Sequence, residues 1–135
     1  IFIRFAGCNL DCPWCDTDKA KRFELSLDDL VAEVKTFRAK SVIITGGEPT
    51  IQKGMDELVT ALSNAGYWIA VETNGLLSPA WLNNIDYIAC SPKAEFANRY
   101  EGASILCHAN EVRIVASTSE IVSFANKIKG LMQVF

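Results

Sequence analysis

Short apolar runs alternate along the chain with stretches whose apolar residues recur every three or four positions. The runs are rich in β-branched and aromatic residues, which is typical of strands buried in a parallel sheet. They cover residues 2–5, 42–45, 68–72, 87–90, 112–116 and 131–135. The pattern therefore predicts six short strands.

The stretches between these runs have helical period. The first covers residues 27–37, and Ser26 with Asp29 forms a capping box at its start. The second covers residues 55–62, and Gly66 is placed to end it. We therefore expect two amphipathic helices in the first half of the chain.

The second half contains weaker helical signals. Ser78-Pro79 opens a short third helix, because proline is harmless in a first helical turn. A fourth stripe over residues 121–128 is opened by Ser117 and closed by Gly130. Residues 94–110 show no clear period, so a loop or a short helix is expected there.

Alternation of strands and helices predicts right-handed βαβ units and an α/β fold with a parallel sheet. Ligands of such sheets bind beyond the carboxyl ends of the strands. Three cysteines follow the first predicted strand, and polar segments follow the next three, at residues 46–50, 73–75 and 91–93. The chemistry-bearing residues should therefore meet at one edge of the sheet.

Charge and hydropathy exclude several classes of partner. Thirteen basic residues stand against sixteen acidic ones, without a long run of either sign. This balance argues against a nucleic-acid or membrane-surface binder. The sequence contains no secretory leader, and no apolar stretch approaches the roughly 20 residues of a membrane span. We expect a cytoplasmic protein with no nucleic-acid and no membrane partner.

The five cysteines carry the most specific signal. An odd number in a chain without a secretory leader is a poor basis for a disulfide framework. Cys8, Cys12 and Cys15 have the spacing C-x₃-C-x₂-C, which is typical of metal ligands. Cys90 and Cys107 are isolated, and we expect them to be free buried thiols.

Three interpretations of the triplet are open. A structural zinc ion needs a fourth ligand, and neither Cys90, Cys107 nor His108 lies at a zinc-finger spacing. An iron–sulfur cube usually takes four thiolates, so three local thiolates leave one iron open to a substrate or cofactor. The triplet is otherwise a set of free thiols. Its position at a strand end, on the ligand side of the sheet, favours the cube.

A C-x₃-C-x₂-C loop after the first strand of an α/β chain resembles the radical S-adenosylmethionine (SAM) superfamily. The segment Gly46-Gly47-Glu48-Pro49 is similar to the superfamily's motif beside the methionine part of SAM. Its two glycines allow close backbone approach, and Glu48 can face an ammonium group. The resemblance implies a partial (β/α)6 TIM-like barrel, a [4Fe-4S] cluster and SAM, whose cleavage yields a 5′-deoxyadenosyl radical.

Several segments are more specific than the superfamily. Residues 2–10, 14–17, 45–49, 72–75 and 91–93 resemble the 7-carboxy-7-deazaguanine synthase family. That resemblance implies conversion of 6-carboxy-5,6,7,8-tetrahydropterin to 7-carboxy-7-deazaguanine with loss of ammonia, in the biosynthesis of queuosine and related deazapurines. It also implies that the reaction is assisted by Mg²⁺.

The resemblance implies a role for each matching residue. Cluster ligands are Cys8, Cys12 and Cys15; SAM contacts are Trp14, Asp16, Gly46, Gly47, Glu48, Ser91, Pro92 and Lys93; the Mg²⁺ ligand is Thr17; substrate contacts are Arg4 and Thr45. A guanidinium suits a carboxylated substrate, because it binds carboxylate in a bidentate fork. Mg²⁺ needs few protein oxygens, so one threonine is a credible minimal site.

Other roles are open for some of these residues. Arg4 could be a surface residue on an edge strand, Thr17 could cap a turn, and Lys93 could be solvated. Glu72 could face the ribose of SAM or pair with Lys93. The runner-up function is a radical SAM activase that generates a glycyl radical on a partner protein, and the non-enzyme alternative is an iron–sulfur or zinc module.

The resemblance also bears on organisation and partners. It implies one partial radical SAM core domain over residues 1–135, a small-molecule pterin substrate, a reducing electron donor such as a flavodoxin, and a homodimer. Members of the family carry a segment before position 2 and a tail after position 135. We therefore expect the pterin pocket to be incomplete in these 135 residues, and cluster and SAM binding to be better preserved than turnover.

Overall fold

The computed structural model describes residues 1–18, 20, 23–101, 105–115 and 120–134. Its main element is a five-stranded parallel sheet with strand order β1-β2-β3-β4-β6. The strands of this sheet are β1 (Phe2–Phe5), β2 (Ser41–Gly46), β3 (Trp68–Thr73), β4 (Tyr87–Cys90) and β6 (Glu111–Val112). Every neighbouring pair is parallel, which confirms the predicted α/β class.

Two helices follow the first two strands of the sheet. Helix α1 (Leu27–Thr36) begins as predicted, because the Ser26 hydroxyl accepts a hydrogen bond from the Asp29 amide at 3.1 Å. Helix α2 (Met55–Asn64) is followed by Gly66 in a left-handed conformation, with φ of 75°. Both helix ends follow the local rules for caps that the sequence displays.

The remaining elements are shorter. Three 3₁₀ helices cover Pro49–Ile51, Ala80–Asn84 and Ala94–Arg99. Strand β5 (His108–Ala109) pairs in parallel with β7 (Gln133–Val134), and helix α3 (Ile121–Leu131) lies between them in sequence. The predicted third helix is therefore a 3₁₀ helix, and residues 94–110 contain a short helix and a strand.

Three predictions of detail are wrong. The fifth predicted strand ends at Val112 in the described part of 112–116, and the sixth pairs with β5 outside the main sheet. Gly130 lies inside α3 instead of closing it. Hydrophobic period cannot reveal these outcomes, because it reports which residues are buried and not which strand they pair with. The predicted helix-opening residue Ser117 lies outside the described residues.

The core lies between the sheet and the helices packed on it. Its most buried side chains come from β2, β3 and α2, and Val42, Ile44, Val59, Leu62 and Val71 are each 0% exposed. Within the described residues, no helix combines the length and the hydropathy that crossing a membrane requires. The carboxyl ends of β1 to β4 and β6 meet at one edge of this core.

Candidate active site at the carboxyl ends of the strands

A cavity of about 200 Å³, here called the cysteine cavity, opens at the carboxyl ends of the strands. Cys8, Cys12 and Cys15 all line it. The other lining residues are Leu10, Trp14, Asp16, Thr17, Thr45, Gly46, Gly47, Glu48, Glu72, Thr73, Asn74, Ser91, Lys93 and Arg113. The predicted meeting of chemistry-bearing residues at one sheet edge is therefore confirmed.

The cysteine loop is held by contacts with distant parts of the chain. The Asn74 side-chain amide donates to Asn9 Oδ1 at 2.7 Å, and the Arg99 guanidinium donates to the Asn9 carbonyl at 2.9 Å. Within the loop, the Leu10 amide donates to Cys8 Sγ at 3.4 Å. These contacts hold the loop at Asn9, which lies between Cys8 and Cys12 in the sequence.

The donor set of this loop fits an iron–sulfur cube. Burial raises the pKa of the Cys12 thiol, while the charge of Lys93 acts in the opposite direction. Iron binding removes such a proton, because the thiolate is the ligand form. Among the described residues, no three His, Cys, Asp or Glu side chains are grouped closely enough for one metal ion. The thiolates of an iron–sulfur cube can lie further apart than the ligands of a single ion, since each thiolate binds a different iron.

The glycine pair after β2 lies against the chain's own backbone. A side chain at Gly46 would overlap backbone atoms of Phe5, and one at Gly47 would overlap the Gly7 carbonyl. The Gly47 amide donates to the Phe5 carbonyl at 2.8 Å, and the Glu48 amide donates to the Gly7 carbonyl at 2.9 Å. The two glycines were expected to let a ligand approach the backbone. In the structure Phe5 and Gly7, which lead into the cysteine loop, make this close approach.

Glu48 directs its carboxylate into the protein. Its side chain is 1% exposed. Oε1 accepts from the Thr50 amide at 3.1 Å, from Thr50 Oγ1 at 2.7 Å and from Thr73 Oγ1 at 2.6 Å, and Oε2 accepts from the Asn74 amide at 2.8 Å. Four donors satisfy this buried carboxylate and join the glycine loop to the end of β3.

Lys93 and Trp14 close one side of the cysteine cavity. Lys93 Nζ lies 5.0 Å from the centre of the Trp14 ring, and Trp14 Nε1 donates to Glu95 Oε1 at 2.7 Å. The Lys93 amide donates to the Tyr100 hydroxyl at 2.9 Å, which itself donates to the Asn74 carbonyl at 2.9 Å. Lys93 is therefore held at the cavity by both its backbone and its ammonium group.

A second hydrogen-bond network joins Thr45, Glu72 and Arg113, which all line the cavity. Thr45 Oγ1 donates to Glu72 Oε2 at 2.8 Å, and Arg113 Nη1 donates to Glu72 Oε1 at 3.0 Å. The guanidinium also makes two bonds to Glu111, at 2.7 and 2.8 Å. These bonds raise the pKa of Arg113 and lower that of Glu111. The ion-pair partner of Glu72 is thus Arg113, not Lys93.

A larger cavity of about 470 Å³, here called the Arg4 cavity, adjoins the first. Asp16 and Thr17 line both cavities. Arg4 is exposed on the edge strand β1, and it faces Thr45 of β2 in the strand register. The two residues predicted to contact substrate therefore lie on adjacent strands but line different cavities.

Most of the predicted site residues come together, with some exceptions. Pro92 is buried and does not line the cysteine cavity. Cys90 is buried as expected, and burial raises its pKa to about 12. Cys107 is exposed, so the prediction of a buried thiol is wrong. Cys107 and His108 lie away from the cavity, which leaves the zinc alternative without those two ligands.

Sequence reasoning placed Asn74 at this edge but gave no role to it or to Asn9, and it missed Arg99 and Arg113. Arg113 directly follows β6, and its amide donates to the Cys90 carbonyl at 2.8 Å. The rule that placed polar residues at strand ends would have found it, but the predicted strand 112–116 put Arg113 in mid-strand. No sequence signal marked the long-range contacts of Asn9 and Arg99.

The chain matches known proteins over most of its length. The model of the Radical SAM superfamily matches residues 2–91. A 7-carboxy-7-deazaguanine synthase from Neisseria meningitidis is 45% identical over 129 residues, which cover 96% of this chain and 59% of that protein. Another from Haemophilus influenzae is 46% identical over 130 residues, again 96% and 59%. The chain thus spans 59% of the length of these relatives.

The fold has a counterpart among solved structures. The crystal structure of QueE from Escherichia coli aligns with a TM-score of 0.71 and 24% sequence identity, over 98% of this chain and 68% of that one. The alignment supports the expected architecture of a partial TIM-like barrel. With three cysteines and a glycine loop at the carboxyl ends of its parallel strands, this chain belongs to the Radical SAM superfamily.

Proposed function

We propose that residues 1–135 form one domain, the cluster- and SAM-binding core of a 7-carboxy-7-deazaguanine synthase. The reaction converts 6-carboxy-5,6,7,8-tetrahydropterin to 7-carboxy-7-deazaguanine and releases ammonia. Its product enters the biosynthesis of queuosine and other deazapurines. The proposal extends to this chain the activity for which its relatives from Neisseria meningitidis and Haemophilus influenzae are named, which are 45% and 46% identical to it.

One observation carries the proposal. The three thiols of the C-x₃-C-x₂-C loop line the same cavity as the glycine loop that follows β2 and the polar ends of β3 and β4. A cluster with three protein thiolates keeps one iron open, and a chelating ligand such as SAM needs polar groups around that iron. The cavity supplies groups of both signs: Asp16 and Glu72 are acidic, and Lys93 and Arg113 are basic.

The bound cluster would supply the electron that cleaves SAM. Cys8, Cys12 and Cys15 would hold it, and the Leu10 amide donates to Cys8 Sγ. Trp14 and Lys93 cover the cavity from the side of β4. Gly46, Gly47 and Ser91 provide backbone next to the ligand in this proposal, and Pro92 contributes only as the buried link between Ser91 and Lys93. The proposed SAM role of Glu48 is indirect, because its carboxylate bonds to the protein.

Substrate binding is proposed at the junction of the two cavities. Arg4 binds the substrate carboxylate, Thr45 contacts the ring, and Thr17 gives an oxygen to Mg²⁺. The presence of Thr17 and Asp16 in both cavities supports this arrangement, since a cation there would lie between SAM and the Arg4 cavity. A flavodoxin-like electron donor, a homodimer and a cytoplasmic location complete the proposal.

The test begins with anaerobic reconstitution of the protein, at its natural length, with iron and sulfide. The reduced protein is mixed with SAM, with and without 6-carboxytetrahydropterin and Mg²⁺, and 5′-deoxyadenosine and deazaguanine are quantified. Cys12→Ala should lose most of the bound iron and all SAM cleavage. Cys107→Ser is the matched control, because Cys107 is exposed outside the cavity and should leave both unchanged.

Each alternative has its own outcome in this assay. Appearance of the deazaguanine chromophore supports the proposal. SAM cleavage with intact pterin and a radical on an added glycyl-radical partner would identify an activase instead. A colourless protein that binds only zinc and no SAM would identify a metal-binding module. Either of the last two results overturns the proposed function.

A further inference from the structure

The hydroxyl of Thr45 has a fixed direction in the cysteine cavity. Its Oγ1 lies 2.8 Å from Glu72 Oε2, and the other oxygen of that carboxylate accepts from Arg113. A carboxylate has no proton to give, so the single hydroxyl proton of Thr45 must point to Glu72. Only the lone pairs of Thr45 Oγ1 are left for another partner.

From this geometry we infer that Glu72 is a positioning residue, held by Arg113, which makes Thr45 a hydrogen-bond acceptor for a donating N–H group of the substrate. The inference rests on the proposed function, in which the ligand is a pterin with amino and ring N–H groups. Thr45 is 6% exposed and lines the cavity, so a ligand bound there meets its hydroxyl with little competition from bulk water. A ligand that offers an acceptor at this position would leave two acceptors facing each other.

Arg113 is suited to hold Glu72 and not to bind a ligand anion itself. Its guanidinium makes two bonds to Glu111 and one to Glu72, so two carboxylates already surround it. Glu111 is held in turn by the Tyr87 hydroxyl at 3.0 Å. The chain of contacts therefore runs from Tyr87 through Glu111, Arg113 and Glu72 to Thr45, and it ends at the cavity.

The variant Glu72→Gln tests the direction of the hydroxyl. The amide oxygen of the new side chain must face Arg113, because a guanidinium only donates. The amide NH₂ group then faces Thr45 and donates to it, so the hydroxyl proton turns into the cavity. The size of the side chain is unchanged, but the hydrogen-bonding character of Thr45 is reversed for the ligand.

The experiment measures the dissociation constant of 6-carboxytetrahydropterin by calorimetry with the reconstituted protein and SAM. Thr45→Val and Glu72→Gln should each weaken binding about tenfold, the effect of one lost buried hydrogen bond. Thr45→Ser, which keeps the hydroxyl, should bind as the wild type does. The double variant Thr45→Val/Glu72→Gln should also lose about tenfold and not about a hundredfold, because Glu72 acts through Thr45.

A second variant tests the role of Arg113. In Glu72→Gln/Arg113→Met the amide is free to turn its oxygen back to Thr45, so binding should recover by about threefold or more relative to Glu72→Gln alone. SAM affinity of the same variants reports whether the cavity has kept its shape.

The outcomes separate this inference from the proposed function. If the wild type does not bind the pterin, the proposed function fails and the inference fails with it. If the wild type binds it but the effects at Thr45 and Glu72 multiply, Glu72 contacts the ligand by itself and the inference alone is overturned. Absence of recovery in the Arg113→Met background overturns the role given to Arg113.

Discussion

Glu48→Gln separates a structural role of Glu48 from a ligand-binding one. The substitution keeps the size of the side chain and replaces one acceptor oxygen by an NH₂ group. Three donors converge on Oε1 of Glu48, so the amide oxygen should take that place. The NH₂ group then faces the Asn74 amide, which also donates. A buried donor loses its partner, and three bonds lose their charge assistance.

The magnitude follows from these bonds. An unsatisfied buried donor costs about 1–3 kcal/mol, and a bond to a charged acceptor is about 1 kcal/mol stronger than a neutral one. Relaxation of the side chain recovers part of this sum. We expect the free energy of unfolding to fall by about 3 kcal/mol. Urea unfolding of the ligand-free protein, followed by circular dichroism, measures it.

The matched control is Glu33→Gln on the exposed face of α1, which should change the free energy of unfolding by less than about 0.5 kcal/mol. The reasoning is refuted if Glu48→Gln unfolds within the same margin of the wild type. Such a result, joined to weaker SAM binding, would mean that Glu48 turns to the ligand and that its bonds to Thr50 and Thr73 contribute little.

Three further predictions concern the loop, the thiols and pH. Gly47→Ala should lower the iron bound per chain by more than half, since its side chain would push the cysteine loop off the sheet. In the cluster-loaded protein iodoacetamide should label Cys107 and leave Cys90 unmodified, because burial raises the pKa of Cys90 to about 12. The hydrogen bond from the Trp14 indole lowers the pKa of Glu95 below its ordinary value of 4.5. The stability that this bond contributes is therefore present above pH 4.5 and is lost as the pH falls through the lower pKa of the folded state. The shift of the indole N–H resonance with pH measures this loss.

Each of these has a contrary result. Gly130→Ala in α3 is the control for Gly47→Ala, because nothing in the described part of the chain lies within 4 Å of a side chain there. Equal iron loss in both variants would contradict the packing argument. Rapid labelling of Cys90 in the folded protein would contradict its burial. A titration midpoint of Glu95 at or above 4.5 would contradict the bond to Trp14.

The sheet and its site edge were predictable because local composition and the handedness of βαβ units determine them. The runs at residues 2–5 and 87–90 coincide with strands β1 and β4, and the capping box at Ser26 coincides with the start of α1. Strand partners were less predictable. The run that contains β7 pairs with β5, because pairing depends on the tertiary path of the chain and not on its apolar period.

The sequence predicted which residues form the site better than it predicted the hydrogen bonds between them. Spacing and the strand-end rule located the cysteines, the strand-end rule located Lys93, and the resemblance assigned Thr45. The direction of Glu48 was not predictable, because a glutamate beside glycines has the same sequence signature whether it faces a ligand or the hydroxyls of Thr50 and Thr73. Only the three-dimensional arrangement shows where its donors come from.

The hydrogen bonds that hold Asn9 have a consequence for the order of folding and cluster insertion. Its partners Asn74 and Arg99 lie 65 and 90 residues further along the chain. During synthesis the three thiols therefore leave the ribosome long before the segments that secure them, and contacts of such separation form late in folding. Iron should be acquired after the sheet has closed, and until then the nascent thiols are open to oxidation.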